Sequence, residues 1–337
     1  MKTTRIVLAS RPTGTPADEN FRTETVELES PPPGSALLQT LYLSLDPYMR
    51  GRMSDAPSYA PPVEVGATMV GATVSRVLES TDPALSSGDI VLGYGGWQTH
   101  SVERVRHLRK LDPAAAPLTT ALGVLGMPGF TAYSGLLTIG QPKAGETVVV
   151  AAATGPVGAT VGQIAKINGA RAVGIAGGPR KVELLREHFG FDAAIDHRAP
   201  DFAEQLAAAT PDGIDVYFEN VGGAVLDAVL PRLNKFARIP VCGLVSQYND
   251  SELPPGPDRM GLLMGLILRK SLTLRGFIQT EFLDQFDRFQ ADMAGWIDAG
   301  RVAYLEDVVD GLDHTVEAFR GLLTGKNLGK LVIKVAD

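Results

Sequence analysis

The hydrophobic pattern divides the chain into two parts with different periods. Up to about residue 120, short apolar runs lie at residues 5–9, 23–28, 36–45, 69–78 and 89–94, separated by turn residues. In the run at 23–28, Val26 and Leu28 alternate with Glu27 and Glu29, which predicts a strand with one face in water. Many short strands before the first helical period predict a small β-barrel domain.

From about residue 126, strand patterns alternate with helical patterns. Strands are predicted at 147–151, 171–176, 193–196, 214–219, 236–242 and 271–277, and helices at 181–189, 201–209, 223–230 and 260–269. This alternation predicts an α/β fold with a doubly wound parallel sheet. A last helical pattern at 314–323 and a last strand pattern at 330–335 fit either part of the chain.

A glycine pattern follows the first of these strands. Residues 148–150 are three consecutive valines, as expected of a strand buried on both faces. Ala153, Gly155 and Gly158 then follow the spacing of the dinucleotide fingerprint, with alanine at the first glycine position. Gly155 would let the backbone approach a pyrophosphate, and Gly158 would let the next helix pack closely on the strand. The pattern predicts a dinucleotide site, and an ordinary glycine turn is the alternative.

The end of the second strand distinguishes the two nicotinamide cofactors. An NAD site needs an acidic residue there for the ribose hydroxyl, whereas an NADP site needs a cation for the 2′-phosphate. Residues 175–179 contain no acid, and Arg180 and Lys181 follow Pro179 in the first turn of a predicted helix. Cations at a helix N-terminus oppose its dipole, so an anion nearby would explain them. The sequence predicts NADP, and two solvated surface charges are the alternative.

Composition excludes several classes of protein. The chain has 337 residues, 20% charged residues and a net charge of −7, which argues against a nucleic-acid surface. Cys242 is the single cysteine, so a disulfide framework and a four-cysteine zinc site are excluded. The first ten residues hold too short an apolar run for a signal peptide, so we expect a cytoplasmic protein. Residues 113–142 carry no charge, but prolines and glycines break the run, so we expect no membrane span.

Five motifs in order resemble the medium-chain dehydrogenase/reductase superfamily. They lie at residues 45–50, 126–133, 151–158, 217–223 and 248–257, and are similar to the zinc-independent branch of prostaglandin reductases and alkenal double-bond reductases. The resemblance implies a GroES-like β-barrel catalytic domain at 1–125, to which 311–337 return, and a Rossmann nucleotide-binding domain at 126–310. It also implies NADPH and an α,β-unsaturated carbonyl substrate that meet in a cleft.

The resemblance assigns roles to single residues. The residues implied at the cofactor are Met127, Thr131, Ala153, Gly155, Pro156, Val157, Gly158, Gly178, Lys181, His197, Asn220, Cys242, Tyr248, Phe277 and Asn327. Lys181 matches the lysine that meets the 2′-phosphate, and Tyr248 matches a tyrosine beside the substrate carbonyl. His197 stands where the family usually has a tyrosine, and Asp196 precedes it.

The expected reaction needs no metal. One cysteine and five histidines are a poor basis for a catalytic zinc site, and residues 45–50 contain Asp46, Tyr48 and Arg50 in place of cysteine. Hydride addition to an activated C=C bond places negative charge on the carbonyl oxygen, where a donor stabilises it. Tyr248 is the predicted donor, with a simple turn residue as the alternative. Tyr48 and Arg50 are pocket candidates that are equally compatible with structural roles.

Three functions fit these sequence features. An NADPH-dependent enone or enal reductase is the first, a quinone reductase with an open flat pocket is the second, and an NADPH-binding protein without turnover is the third. A homodimer is expected through the predicted strand at 271–277, since an exposed sheet edge favours pairing with its own copy.

Overall fold

The structure is a computed structural model that describes residues 1–250, 252 and 258–337. The chain divides into two compact units. The first unit contains Met1–Leu122, residues 248–250 and Glu306–Asp337, and the second contains Gly123–Gln247 and the described part of Glu252–Leu305.

Short strands dominate the first 122 residues. The elements there are β1 (Lys2–Leu8), β2 (Phe21–Glu27), β3 (Ser35–Ser44), α1 (Tyr48–Gly51), β4 (Thr73–Ser80), β5 (Ile90–Gly93), β6 (His100–Arg104) and β7 (Arg109–Leu111). β1 and β2 form an antiparallel pair. Val26 and Leu28 are half-buried while Glu27 and Glu29 are exposed, so the predicted one-sided burial is confirmed.

The second unit is built on a six-stranded parallel sheet. Its elements are α2 (Met127–Ser134), β8 (Thr147–Ala151), α3 (Pro156–Ile167), β9 (Arg171–Ala176), α4 (Pro179–Glu187), β10 (Ala193–Asp196), α5 (Phe202–Ala209), β11 (Ile214–Phe218), α6 (Gly223–Val229), β12 (Leu233–Val241), α7 (Met260–Lys270), β13 (Thr273–Gly276) and α8 (Phe286–Asp298). The strand order is β10-β9-β8-β11-β12-β13. The predicted doubly wound sheet is confirmed, and its order reverses between β8 and β11, where such sheets bind ligands.

Strand β8, which contains the three consecutive valines, is buried on both faces. Val148 and Val150 pack into the apolar cluster that includes α3 and α8, whereas Val149 and Ala151 pack into the cluster on the opposite face. All five residues of β8 are buried. A strand covered on both faces loses the alternation of polar and apolar residues, as predicted.

The C-terminal elements return to the first unit. They are β14 (Glu306–Asp310), α9 (Thr315–Leu323) and β15 (Lys330–Lys334). In the seven-stranded sheet the order is β14-β15-β3-β4-β5-β7, with β6 also on β3. Residues 306–310, which the sequence placed with the nucleotide domain, belong to this sheet because β14 pairs along its length with β15.

Every helix in residues 1–250, 252 and 258–337 falls short of the length and apolar character that crossing a membrane requires.

Candidate active site

The loop from β8 to α3 has the geometry of a dinucleotide-binding turn. Ala152 adopts a left-handed conformation with φ of 52°, and the Gly155 N–H donates to the Ala152 carbonyl at 3.1 Å. Ala153 is fully buried, and its methyl group lies against Gly174 of β9, where a side chain would stand only 3.0 Å away. Alanine therefore fits at the first fingerprint position because its neighbour on β9 is a glycine.

The two fingerprint glycines have different local surroundings. A Cβ on Gly158 would stand 2.5 Å from the Ala152 oxygen and 2.7 Å from the Ala153 Cα, closer than backbone atoms allow. A Cβ on Gly155 would meet only the Ala152 oxygen, at 3.3 Å. Gly158 is therefore required for the packing of α3 on β8, whereas Gly155 keeps the outer side of the turn clear.

Helix α3 offers its N-terminus to an anion. Pro156 occupies the first turn, where its missing N–H costs nothing, and the N-cap residue, Gly155, has no side chain with which to cap the helix. Val157, in the same turn, is half-buried. Uncapped N–H groups at the positive end of a helix suit a phosphate.

The acid beside the predicted 2′-phosphate site is engaged by the backbone. Asp196 Oδ1 accepts hydrogen bonds from the N–H groups of Gly178 and Arg198, each at 2.9 Å. Burial alone would raise the pKa of Asp196, but these two bonds, together with the charges of His197 and Arg198, outweigh it and lower that pKa. Asp196 Oδ1 therefore fixes the loop by joining the N–H groups of Gly178 and Arg198.

Three basic side chains converge on this loop. A Cβ on Gly177 would lie 2.9 Å from His197 Nε2 and 2.7 Å from Arg198 Nε, so both side chains cover this glycine. Partial loss of hydration lowers the pKa of His197, and the charges of Arg198 and Lys181 lower it further. Sequence reasoning missed Arg198, although its place directly after the carboxyl end of a strand was a usable signal. Arg180 is exposed to solvent, which agrees with the alternative of a solvated surface charge.

Asn220, a predicted cofactor residue, lies at the switch point of the sheet, whereas Met127 and Thr131 lie on α2. The Asn220 amide donates to the Ala151 carbonyl at 2.8 Å, which ties the loop after β11 to the end of β8. On α2, the Thr131 hydroxyl donates to the Met127 carbonyl at 2.8 Å. Asn220 thus joins the carboxyl ends of the two strands between which the strand order reverses.

Cys242 and Phe277 pack against the apolar core of the second unit. Burial raises the pKa of the half-buried Cys242 thiol to about 12, and the nearby Glu219 charge adds to the effect. Phe277 is 6% exposed and packs edge-on against Phe218 at 6.2 Å. Its ring fills the space over Gly135.

Glu219 is a buried acid that sequence reasoning missed. Its Oε1 accepts from the N–H groups of Val221 at 2.6 Å and Gly222 at 2.9 Å, and from the Tyr217 hydroxyl at 3.1 Å. Burial raises the pKa of this carboxyl. Glu219 therefore fixes the turn that carries Asn220.

In the first unit, Asp46 belongs to a buried ion pair. Its carboxylate contacts the Lys330 ammonium at 2.9 Å and accepts a hydrogen bond from the Ser44 hydroxyl. Lys330 also donates to the Leu45 carbonyl at 2.7 Å. A carboxylate engaged in this way is a poor metal ligand. Lys330 lies outside the motifs, and no pattern in the sequence indicates its pairing.

Tyr48 lies in α1, two residues after Asp46. Burial raises the pKa of Tyr48 well above its usual value, and the negative charge of Asp46 raises it further. The phenol therefore stays protonated over the whole physiological range and remains a hydrogen-bond donor.

Arg50 and Tyr248 lie in the same unit. Arg50 is 4% exposed and donates from Nε to Asn249 Oδ1 at 3.1 Å and from Nη2 to the Gly14 carbonyl at 2.8 Å. Tyr248 is half-buried and directly precedes Asn249. Residues 251 and 253–257 of the predicted motif lie outside the described residues. Asn327 donates to the Gly329 carbonyl at 2.8 Å and so supports its own turn.

Comparison with known proteins identifies the family. Residues 4–111 match the family described as the N-terminal domain of oxidoreductase, and residues 156–298 match the family described as zinc-binding dehydrogenase. The chain is 59% identical over 333 residues to the NADPH-dependent curcumin reductase of Escherichia coli strain K12, covering 98% of this chain and 96% of that protein. This chain belongs to the medium-chain dehydrogenase/reductase superfamily. The predicted branch of prostaglandin and alkenal reductases is confirmed.

Two further members of the superfamily extend the comparison. The 2-alkenal reductase (NADP(+)-dependent) of Nicotiana tabacum is 40% identical over 338 residues, covering 98% of this chain and 97% of that protein. The crystal structure of CurA in complex with NADPH from Vibrio vulnificus superposes with a TM-score of 0.97 at 51% identity, covering 99% of both chains. The two-domain medium-chain reductase fold predicted from the sequence is thereby confirmed.

The name of the second matched family raises the question of zinc. Among residues 1–250, 252 and 258–337, no three histidine, cysteine, aspartate or glutamate side chains are grouped as a metal site would need. Independence from metal stays a prediction for this medium-chain reductase.

Proposed function

We propose that this chain is an NADPH-dependent reductase of the C=C bond of α,β-unsaturated ketones or aldehydes. The loop around Gly177 and Gly178 is the observation that supports NADPH as the cofactor. Three basic side chains converge there, namely His197, Arg198 and Lys181. The carboxylate of Asp196 accepts hydrogen bonds from backbone N–H groups of the same loop. A dianionic 2′-phosphate is stabilised by such a group of basic side chains, whereas a ribose hydroxyl needs a free acceptor. The names of the relatives, among them a 2-alkenal reductase and an NADPH-dependent curcumin reductase, support the same reaction class.

The residues of the second unit fit the cofactor. Uncapped N–H groups of α3 suit the pyrophosphate, and the open side of Gly155 leaves room for it. NADPH, when bound, supplies the hydride. We assign Met127, Thr131, Asn220, Cys242 and Phe277 to the surroundings of the cofactor in the second unit, and Tyr248 and Asn327 to its surroundings in the first.

Tyr248 is the proposed donor to the substrate oxygen. As the β-carbon gains a hydride, negative charge develops on the carbonyl oxygen and an enolate forms. A phenol hydroxyl near that oxygen donates a hydrogen bond that strengthens as the charge grows. Tyr48, which burial keeps protonated, is the proposed second polar group of the substrate pocket. Arg50, the other pocket candidate, donates to Asn249 and to the Gly14 carbonyl.

The organisation of the protein is part of the proposal. We assign catalysis to the first unit, which includes β14 at residues 306–310, and cofactor binding to the second unit. We further propose a cytoplasmic enzyme that works without a metal ion, because Asp46, the acid in the 45–50 segment, is already paired with Lys330.

A homodimer is proposed through the edge of the parallel sheet. Among the strands that the structure describes, β13 ends the strand order, so one of its edges is available for pairing. Helix α7 next to it in sequence exposes apolar side chains, namely Met260 at 57%, Leu262 at 56%, Met264 at 56% and Leu268 at 82%. An exposed edge beside an apolar face is typical of a contact between two copies about a two-fold axis.

An NADPH-oxidation screen tests the function. Purified protein is given alkenals, cyclic enones, oxo-prostaglandins and quinones, and NADPH consumption is compared with product analysis. Turnover of enones or enals with a saturated product supports the proposal. Turnover of quinones alone would make the protein a quinone reductase, and tight NADPH binding without turnover of any of them would leave a nucleotide-binding protein.

A further inference from the structure

Arg50 is a buried cation whose hydrogen bonds within the described part of the chain go to neutral oxygen atoms. Its Nε donates to Asn249 Oδ1 at 3.1 Å and its Nη2 to the Gly14 carbonyl at 2.8 Å. Burial lowers the pKa of Arg50. A buried charge without an opposite charge is costly, so stability alone is a poor reason for an arginine here.

The segment that Arg50 contacts is unusual in the chain. Residues 248–250 belong to the first unit, although residues on both sides of them belong to the second. The side chain of Asn249 bonds α1 through Arg50, and the backbone oxygen of Asn249 lies near Gly14, where an added Cβ would be 4.0 Å away. One guanidinium therefore joins α1, the loop at Gly14 and the segment that begins with Tyr248.

We propose that Arg50 is a positioning residue that acts through Asn249 to fix Tyr248, rather than a group that binds substrate. The inference rests on the proposed donor role of Tyr248. A guanidinium presents its Nε and Nη2 donors in a rigid plane, so it holds two acceptors at a fixed distance from each other. Displacement of a reacting group by about 1 Å lowers a rate by as much as a hundredfold.

The test combines substitutions at three positions. Arg50→Met removes both hydrogen bonds, Asn249→Leu removes only the bond to the segment, and Asn249→Asp keeps an acceptor of the same shape. We expect the first two to lower enone kcat about tenfold, within the range known for misplaced groups, while NADPH affinity changes less than about twofold. Asn249→Asp should keep kcat within about twofold of the parent.

The decisive comparison uses a Tyr248→Phe background. If Arg50 acts through the Tyr248 hydroxyl, Arg50→Met should lower kcat there by less than about twofold, because the group that it positions is already gone. Equal losses in both backgrounds would overturn the inference. Arg104→Met is the matched control, since Arg104 also donates to a backbone oxygen, that of Pro33 at 2.7 Å, and we expect its kcat to match the parent.

Two measurements keep the inference separate from the proposed function. If Tyr248→Phe leaves kcat unchanged, the donor role fails, and amide hydrogen exchange of residues 248–250 then decides the positioning role. Faster exchange in Arg50→Met than in the parent supports it, and equal exchange overturns it. If Arg50→Met does not fold, Asn249→Leu against Asn249→Asp carries the test, and equal kcat in these two overturns the inference.

Discussion

Exchanging the two fingerprint glycines for alanine separates packing from cofactor binding. In Gly158→Ala, the new methyl would stand 2.5 Å from the Ala152 oxygen, about 0.9 Å short of ordinary contact at 3.4 Å. Both close atoms belong to the backbone, so α3 must move away from β8. Overpacking of this kind costs about 1–3 kcal/mol, and we expect the free energy of unfolding of the second unit to fall by that amount.

Gly155→Ala is the matched change. Its methyl meets one atom at 3.3 Å, and Gly155 has φ of −63° and ψ of 163°, which alanine adopts without strain. We therefore expect its stability to stay within about 1 kcal/mol of the parent, with a small gain from a less flexible unfolded chain. NADPH affinity should nevertheless fall about tenfold or more, equivalent to about 1.4 kcal/mol, because the methyl faces the proposed pyrophosphate position.

Urea unfolding with and without NADPH, together with a fluorescence titration of NADPH, distinguishes the two variants. Gly158→Ala should unfold at lower urea even without cofactor, whereas Gly155→Ala should differ from the parent only when NADPH is present. The reasoning would be refuted by a Gly158→Ala protein as stable as the parent, or by a Gly155→Ala protein with the parent's NADPH affinity.

The site and the sheet edge lead to four more predictions. Lys181→Ala should weaken NADPH binding about tenfold to a hundredfold and leave NADH binding nearly unchanged, because one charge-assisted hydrogen bond is lost. Equal affinity of the parent protein for both cofactors would contradict this. Tyr248→Phe should lower enone kcat by about tenfold or more with NADPH affinity within about twofold, and unchanged kcat in a step limited by hydride transfer would return Tyr248 to a turn role. Prolonged chelation should change neither activity nor the thermal midpoint, and stoichiometric zinc in elemental analysis would disprove it. Sedimentation at micromolar concentration should show a dimer, and a single species near 35.7 kDa would exclude one.

The parallel sheet could be predicted from the sequence because the patterns that indicate its strands are local. Each strand is a short apolar run, and the glycine spacing needs only residues 153–158. The passage from β8 through a glycine turn into α3 was also predicted, whereas Arg198 was overlooked. Helix α2 escaped prediction since seven of its residues are buried, and a helix buried on all sides has no polar face to reveal its period. Helix α8 carried a usable signal, because Phe289 and Met293 are buried at a spacing of four.

Side-chain partners distant along the chain were beyond sequence reasoning. Asp46 and Lys330 are 284 positions apart, and neither neighbourhood marks the other. Arg50 was equally compatible with a pocket and with a structural role, because its type and motif do not reveal Asn249 and Gly14 as its acceptors. Such pairings depend on tertiary packing, and a single sequence contains no record of them.

The position of β15 determines when each unit can be completed during synthesis. β15 lies between β14 and β3, and Lys330 at its start neutralises Asp46. At about 5–20 residues per second, a ribosome releases Lys330 roughly 15–60 s after Asp46. During that interval the nascent first unit exposes an unpaired sheet edge and a carboxylate without its cation. The sheet of the second unit needs no residue beyond 305, so this unit can fold first. We therefore expect the N-terminal strands to be the part of this chain that depends most on a chaperone.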